Sequence, residues 1–256
     1  LGSYENVSRF SREEIAAYKA KFYKPSNVVV SFAGNITAEQ AFSLVEKYMP
    51  TEGERETVDF PKINTKCLCG RLAADKAIEQ NHIAIGIPGV KITSDDRVAL
   101  ICLNAVLGGG MSSRLFQSVR EKQGLAYAVY SYLSCYKDLG VICVYAGVNP
   151  QKRKTSYDCL ISEIRNFAEN GITANELARV KEQIKGSTVL SRENMASIMI
   201  SQGKRLLLTG EPFDIDRELD SVSKLELDRV NELAAKYFSP DVFASAIVGK
   251  NVKPLD

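Results

Sequence analysis

Leu107-Gly108-Gly109-Gly110-Met111-Ser112-Ser113-Arg114-Leu115-Phe116-Gln117-Ser118-Val119-Arg120-Glu121-Lys122-Gln123-Gly124-Leu125-Ala126-Tyr127-Ala128-Val129-Tyr130-Ser131 contains a helix end, a short helix and a strand start in one run. Three glycines break the apolar helix that precedes them, because glycine destabilises a helix interior and frees the backbone to turn. The segment from about Ser113 to Lys122 then reads as a short helix. Gly124 stands where a left-handed C-cap is needed. From Ala126 onward, aromatic and β-branched residues take over, the signature of a strand. Three glycines before a helix also suggest a phosphate cradle. The Gly-x-x-x-x-Gly-Lys-Ser/Thr spacing is absent, however, and no lysine follows at the right place, so the stretch is read as a corner between two helices.

Outward from this corner the elements follow in order. On the N-terminal side, residues 66–75 and 81–87 read as strands, and Ser94 or Asp95 caps a helix running through Leu107. On the C-terminal side, strands are expected at about 126–134 and 140–148, with helices at about 150–170, 174–190, 194–208 and 224–237 and a last strand from Val242 to Val248. Thr173-x-x-Glu176 forms a capping box for the second of these helices. Strands followed by helices, rather than strict alternation, predict an α+β fold, an antiparallel-rich mixed sheet with its helices packed on one face.

The beginning of the chain resembles its end. Ser11-x-x-Glu14 caps a helix that Pro25 stops, and Val28-Val29-Val30-Ser31-Phe32 reads as a buried strand ending at Gly34. A constant offset of 215 relates Pro25 to Pro240 and Gly34 to Gly249, and Ile15 matches Val230. The duplication predicts a partial first module over residues 1–50, a linker over 51–64 rich in Thr and Glu and bracketed by Pro50 and Pro61, and a complete second module over 65–256. Thr37-x-x-Gln40 caps a further helix, to about Tyr48, within the first segment. A complete first copy would need well over a hundred more residues before Leu1, so the chain reads as a C-terminal fragment.

Composition narrows the function. The 256 residues are 45% hydrophobic and 25% charged, with a net charge of +2, which is ordinary globular composition with no basic field to draw nucleic acid or an anionic membrane. No apolar run approaches the ~20 residues that span a bilayer. The single histidine, His82, excludes any His-rich metal site and any Ser/His or Cys/His dyad elsewhere in the chain. Six scattered cysteines without a CxxC pair argue for reduced thiols and a cytoplasmic setting, and Cys67 and Cys69, alternate residues of a strand, read as buried thiols.

The stretch from Gly108 to Ser131 closely resembles the second-half signature of the pitrilysin/insulinase family of zinc peptidases, which includes the mitochondrial processing peptidase and the core subunits of ubiquinol–cytochrome c reductase. The order of elements, the repeated helix–strand–Gly-Asn segment from Tyr23 to Asn35 and the linker extend the resemblance over essentially the whole chain. It implies two homologous α+β modules enclosing a cavity. The first carries an inverted His-x-x-Glu-His zinc motif, and the second faces the substrate. The helix corresponding to the zinc-bearing one reads Leu100-Ile101-Cys102-Leu103-Asn104-Ala105-Val106-Leu107 and is ligand-free, so the resemblance places zinc in the missing N-terminal module and none in this chain. It also implies that Arg120 and Tyr127, seven residues apart, donate hydrogen bonds to a peptide carbonyl and the oxyanion formed on it. Gly108, Gly109 and Gly110 are carried over as substrate-contacting. The expected function is zinc-dependent hydrolysis of peptides or presequences, with this fragment inactive alone. Its expected partners are an extended or unfolded polypeptide and either the missing module or a homologous chain in a homo- or heterodimer. Two rival readings are a non-catalytic companion subunit of a two-chain processing peptidase and a purely structural core-like subunit. The tyrosines Tyr130, Tyr132, Tyr136 and Tyr145 are expected to serve strand packing.

Overall fold

The structure is a computed structural model of the chain, and it describes residues 2–49, 69–239 and 243–255. Over these residues the chain divides into two compact units, Leu1–Lys62 with Ser191–Phe213, and Ile63–Leu190 with Asp214–Asp256. The expected linker, 51–64, and Cys67 lie outside the described residues. Residues 191–213, expected in the second module, belong to the first unit.

The larger unit is built on a five-stranded sheet of order β1-β5-β2-β4-β3. Its strands are β1 Arg71–Asp75, β2 Asn81–Pro88, β3 Ala126–Cys135, β4 Gly140–Val148 and β5 Ala244–Gly249. Only β1 and β5 run parallel; every other neighbouring pair is antiparallel. Alternation divides β2 cleanly. Ile83, Ile85 and Ile87 are fully buried, while His82, Ala84 and Gly86 point the other way and are half-buried. Ile142, Val144, Ala146 and Val148 repeat the pattern on β4. The buried side is covered by helices α4 Arg97–Gly108, α5 Arg153–Asn170, α6 Ala174–Leu190, α8 Ile215–Ser223 and α9 Leu227–Tyr237. In the core between them, Phe167 and Phe238 meet edge to face at 5.0 Å. The fold class expected from the sequence is the one found.

Polar ties register the helices. Asp96, just before α4, accepts hydrogen bonds from Tyr237 Oη at 2.8 Å, Arg229 at 2.8 Å and Lys236 at 3.2 Å, which locks the start of α4 to α9. Arg97 makes a two-pronged pair with Glu218 at 2.6 and 2.7 Å, fixing α8, a helix the sequence reading left out.

The smaller unit contains α1 Tyr4–Arg9, α2 Arg12–Phe22, α3 Ala38–Tyr48 and α7 Met195–Thr209. Both expected capping boxes are formed, Ser11 with Glu14 and Thr37 with Gln40. Ser31 Oγ donates to Met199 O at 2.9 Å, joining the two chain segments of the unit. The helices keep the offset of the sequence comparison, since α2 and α9 have equal length and 215 separates both ends, 12 to 227 and 22 to 237. The likeness breaks at the strand. Val28–Phe32 is extended but forms no ladder, and Val28, Val30 and Phe32 are exposed. The expectation of a buried strand here is corrected for a simple reason. A strand requires a neighbour to take its amides and carbonyls, and the unit has no other strand among its described residues.

Candidate functional site

The corner read from the sequence is a rigid turn in the structure. The expected short helix forms, with Phe116–Lys122 winding in π register. Gly124, at φ +57°, closes it. Its amide donates to Arg120 O at 3.0 Å, and the Leu125 amide reaches back to Val119 O at 2.9 Å. From α5, Cys159 Sγ accepts from Gln123 Nε2 at 3.0 Å, and the buried Ser156 hydroxyl lies 3.4 Å from Leu125 O, so the turn is pinned from beneath.

Arg120 and Tyr127 sit at the two ends of this turn, both exposed. The Arg120 guanidinium lies 4.8 Å over the Phe116 ring, and among the described residues no carboxylate pairs with it. Tyr127 is a β-bulge. Ala126 pairs with Val148 and Ala128 with Gly147, leaving Tyr127 as the extra residue. Ala126 and Val129 both point inward, and strict alternation back from Val129 would bury Tyr127 and expose Ala126. The bulge reverses that assignment and leaves Tyr127 58% exposed.

The three glycines separate. Gly108 is buried in the last turn of α4, where a Cβ would fall 2.8 Å from Ser131 Cβ, so this position serves a close helix–strand approach. Ser131 Oγ, on β3, donates to Asn104 O at 3.2 Å across the same contact. Gly109 and Gly110 are exposed. The loop behind them is held by Gln117 Nε2 on Met111 O at 2.8 Å and by Arg179 on Ser112 O at 3.2 Å. Arg114 then makes a fork of two 2.8 Å hydrogen bonds to Glu176 and lies 5.2 Å over the Phe167 ring. That fork, with the Thr173 cap, holds the Glu176 carboxyl far below the usual carboxylate range, at about 2.

Among the described residues, none of the side chains that could ligate a metal is arranged for a catalytic zinc. His82 Nδ1 is engaged at 2.6 Å with Tyr145 Oη. On α4, Leu100, Cys102, Leu103, Val106 and Leu107 are core residues, and burial pushes the Cys102 thiol up to about 12, so it stays protonated. Among the described residues no three His, Cys, Asp or Glu side chains gather to hold a metal ion. The Asn104 carboxamide oxygen is buried without a partner among the described residues, on the helix that corresponds by resemblance to the zinc-bearing one of the other module.

Of the four tyrosines expected in strand packing, Tyr145 is half-buried and the other three are exposed. Tyr130, Tyr132 and Tyr136 are 45%, 46% and 55% exposed. Tyr130 stands opposite Tyr145 across the β3–β4 ladder with centroids 4.9 Å apart, and Tyr132 follows at 6.3 Å. The signal was present in the sequence. Tyr130 and Tyr132 alternate with Val129, Ser131 and Leu133, and only one of the two sets can face the helices.

Comparison with known proteins identifies the family and agrees with the fold. The family described as the peptidase M16 inactive domain matches residues 9–184, and the chain belongs to that family. It is 36% identical over 251 residues to an uncharacterized zinc protease of Bacillus subtilis, YmxG, covering 97% of this chain and 60% of that protein. A protease from Helicobacter pylori superposes with a TM-score of 0.84 at 20% identity, over 96% of this chain and 61% of that one. The peptidase M16 inactive domain from Pseudomonas fluorescens does so with a TM-score of 0.83, also at 20% identity, over 100% and 61%. At that identity these two structures speak for the fold alone. The chain spans about 60% of the length of the relatives it matches. Among the described residues no helix is long and apolar enough to cross a membrane.

Proposed function

We propose that this chain is the substrate-facing, metal-free part of a zinc peptidase acting on peptides or presequences. In this reading Arg120 and Tyr127 hold the carbonyl of the bond to be cleaved and stabilise the charge that develops on its oxygen. The observation that carries it is the state of the two donors: both side chains are exposed, with no hydrogen-bonding partner among the described residues, at the ends of a turn pinned by Gly124 and α5. A guanidinium fork and a phenol are both hydrogen-bond donors suited to an oxyanion. Gly109 and Gly110, at the exposed corner, are proposed to border the substrate. The module boundaries proposed are 1–50, 51–64 and 65–256. The duplicated helices support them, and the placement of 191–213 in the smaller unit modifies them. Metal-assisted chemistry belongs to the module outside this chain, whether that module precedes Leu1 or is a separate homologous chain. A partner is also implied by the smaller unit, in which no described residue is buried while Ile15, Phe42 and Leu207 stand more than half exposed.

The test requires the metal-bearing module, in full-length protein or as an added chain. Arg120→Ala or Tyr127→Phe is expected to lower kcat by roughly 10²–10³ each, with a smaller change in KM, because a donor aimed at a developing oxyanion acts in the transition state. Arg120→Lys should not restore full activity, since a point charge lacks the planar fork. Wild-type kcat in both single variants would sink the assignment.

A further inference from the structure

The face of the sheet turned away from the helices carries a chemistry that the donor pair does not use. Tyr130 and Tyr145 oppose each other across the ladder with rings 4.9 Å apart and tilted 33°. Tyr132 lies 6.3 Å from Tyr130, and the His82 ring stacks 6.0 Å from Tyr145 while its Nδ1 engages the phenol oxygen at 2.6 Å. We propose that this phenolic face is a subsite for one basic side chain, arginine or lysine, of a bound polypeptide, held over the rings of Tyr130 and Tyr132.

Charge complementarity selects the occupant. Asn81–Pro88, Ala126–Cys135, Gly140–Val148 and Ala244–Gly249 contain no Asp, Glu, Lys or Arg, so the four strands bring no carboxylate, ammonium or guanidinium to this face. Aromatic faces are electrostatically negative and attract a cation within about 6 Å. Two of the phenols are kept neutral by their surroundings. The neighbouring Cys143 raises Tyr132, and burial raises Tyr145, so neither ring ionises in ordinary conditions. An anionic side chain would meet negative ring faces without a counter-charge. A purely apolar one would have to desolvate the hydroxyls for no new hydrogen bond.

The polypeptide follows from continuity along β3. The bulged Tyr127 opens the strand that carries Tyr130 and Tyr132, and at roughly 3.3 Å per residue these rings stand about 10–17 Å further along. Resting on the reading of Arg120 and Tyr127 as carbonyl donors, this puts the preferred basic side chain about three to five residues of extended chain from the bond held there.

Binding to the chain itself tests the subsite without any catalysis. The probes are a short Ala/Ser/Thr peptide bearing one arginine and its citrulline twin, which keeps the shape and loses the charge. Titration by calorimetry or NMR is expected to show the arginine peptide binding about two- to five-fold more tightly for each ring engaged. Tyr130→Leu with Tyr132→Leu should erase the difference and leave the citrulline peptide's affinity unchanged. Tyr130→Phe, which keeps the ring, should preserve the difference. Equal binding of the two peptides to the wild-type chain, binding of neither, or a preference that survives the leucine pair would overturn the proposal. The kcat loss in Arg120→Ala is read in a separate assay, so the subsite can fail while the donor assignment stands, and the reverse.

Discussion

Gly108 and Tyr127 show how differently single residues within one short motif are used. Gly108 belongs to a glycine run that suggests a mobile loop, yet it is buried with Ser131 pressed against the place of its missing side chain. Gly108→Ala is therefore expected to cost about 1–3 kcal/mol through overpacking, read as a lower midpoint in urea unfolding, whereas Gly110→Ala should be close to neutral because only the tip of Gln183 lies near, at 3.9 Å. No count of residue types separates the two positions, because the difference arises from a strand that joins the helix only in the folded chain. Tyr127 is legible in the opposite sense. Its spacing from Arg120 is plain in the sequence, while the bulge that turns its ring outward depends on the register of β4.

At the level of elements, the capping boxes were the most reliable part of the sequence. Ser11 with Glu14, Thr37 with Gln40 and Thr173 with Glu176 all formed where the local pattern put them, because a cap is satisfied by residues three apart. Glu176 also reaches beyond its own helix, joining the start of α6 to Arg114 ahead of the π-helical turn. Its folded-state pKa is depressed, to about 2 from 4.5. Its contribution to stability is thus complete above the unfolded carboxylate value and is lost as pH falls from about 4.5 toward about 2. Melting temperature measured against pH should fall across that window in the wild-type chain, with a shallower fall in Glu176→Gln. Identical slopes would show that the fork contributes nothing to acid stability. The segment Val28–Phe32 marks the limit of element-level reading. Its three valines and Phe32 favour a strand, but composition supplies no neighbouring strand.

For the whole molecule, the two units differ in kind. Every residue of the continuous hydrophobic core lies in the larger unit, and none lies in the smaller one among the described residues. Opening free energy follows buried contacts, so amides of α2, α3 and α7 should exchange with deuterium well before those of α4, β2 and β4. Addition of the metal-bearing module should slow exchange in the smaller unit selectively. Uniform protection across both units of the isolated chain would contradict the view that the smaller one awaits a covering surface.

The sequence by itself determined the fold class, most of the elements around the Gly108–Ser131 corner, the three capping boxes and the likeness in pattern between the two ends of the chain. These rest on local periodicity and on short-range hydrogen bonds, which neighbouring residues decide among themselves. The tertiary structure alone decided that Gly108 is a packing position, that Tyr127 faces outward, that Tyr130, Tyr132 and Tyr145 gather on an open face, and that Val28–Phe32 has no ladder. Each of these depends on a partner distant in sequence. Which face of a strand is buried, and whether a strand has a neighbour at all, is settled only when the sheet is assembled and its register set.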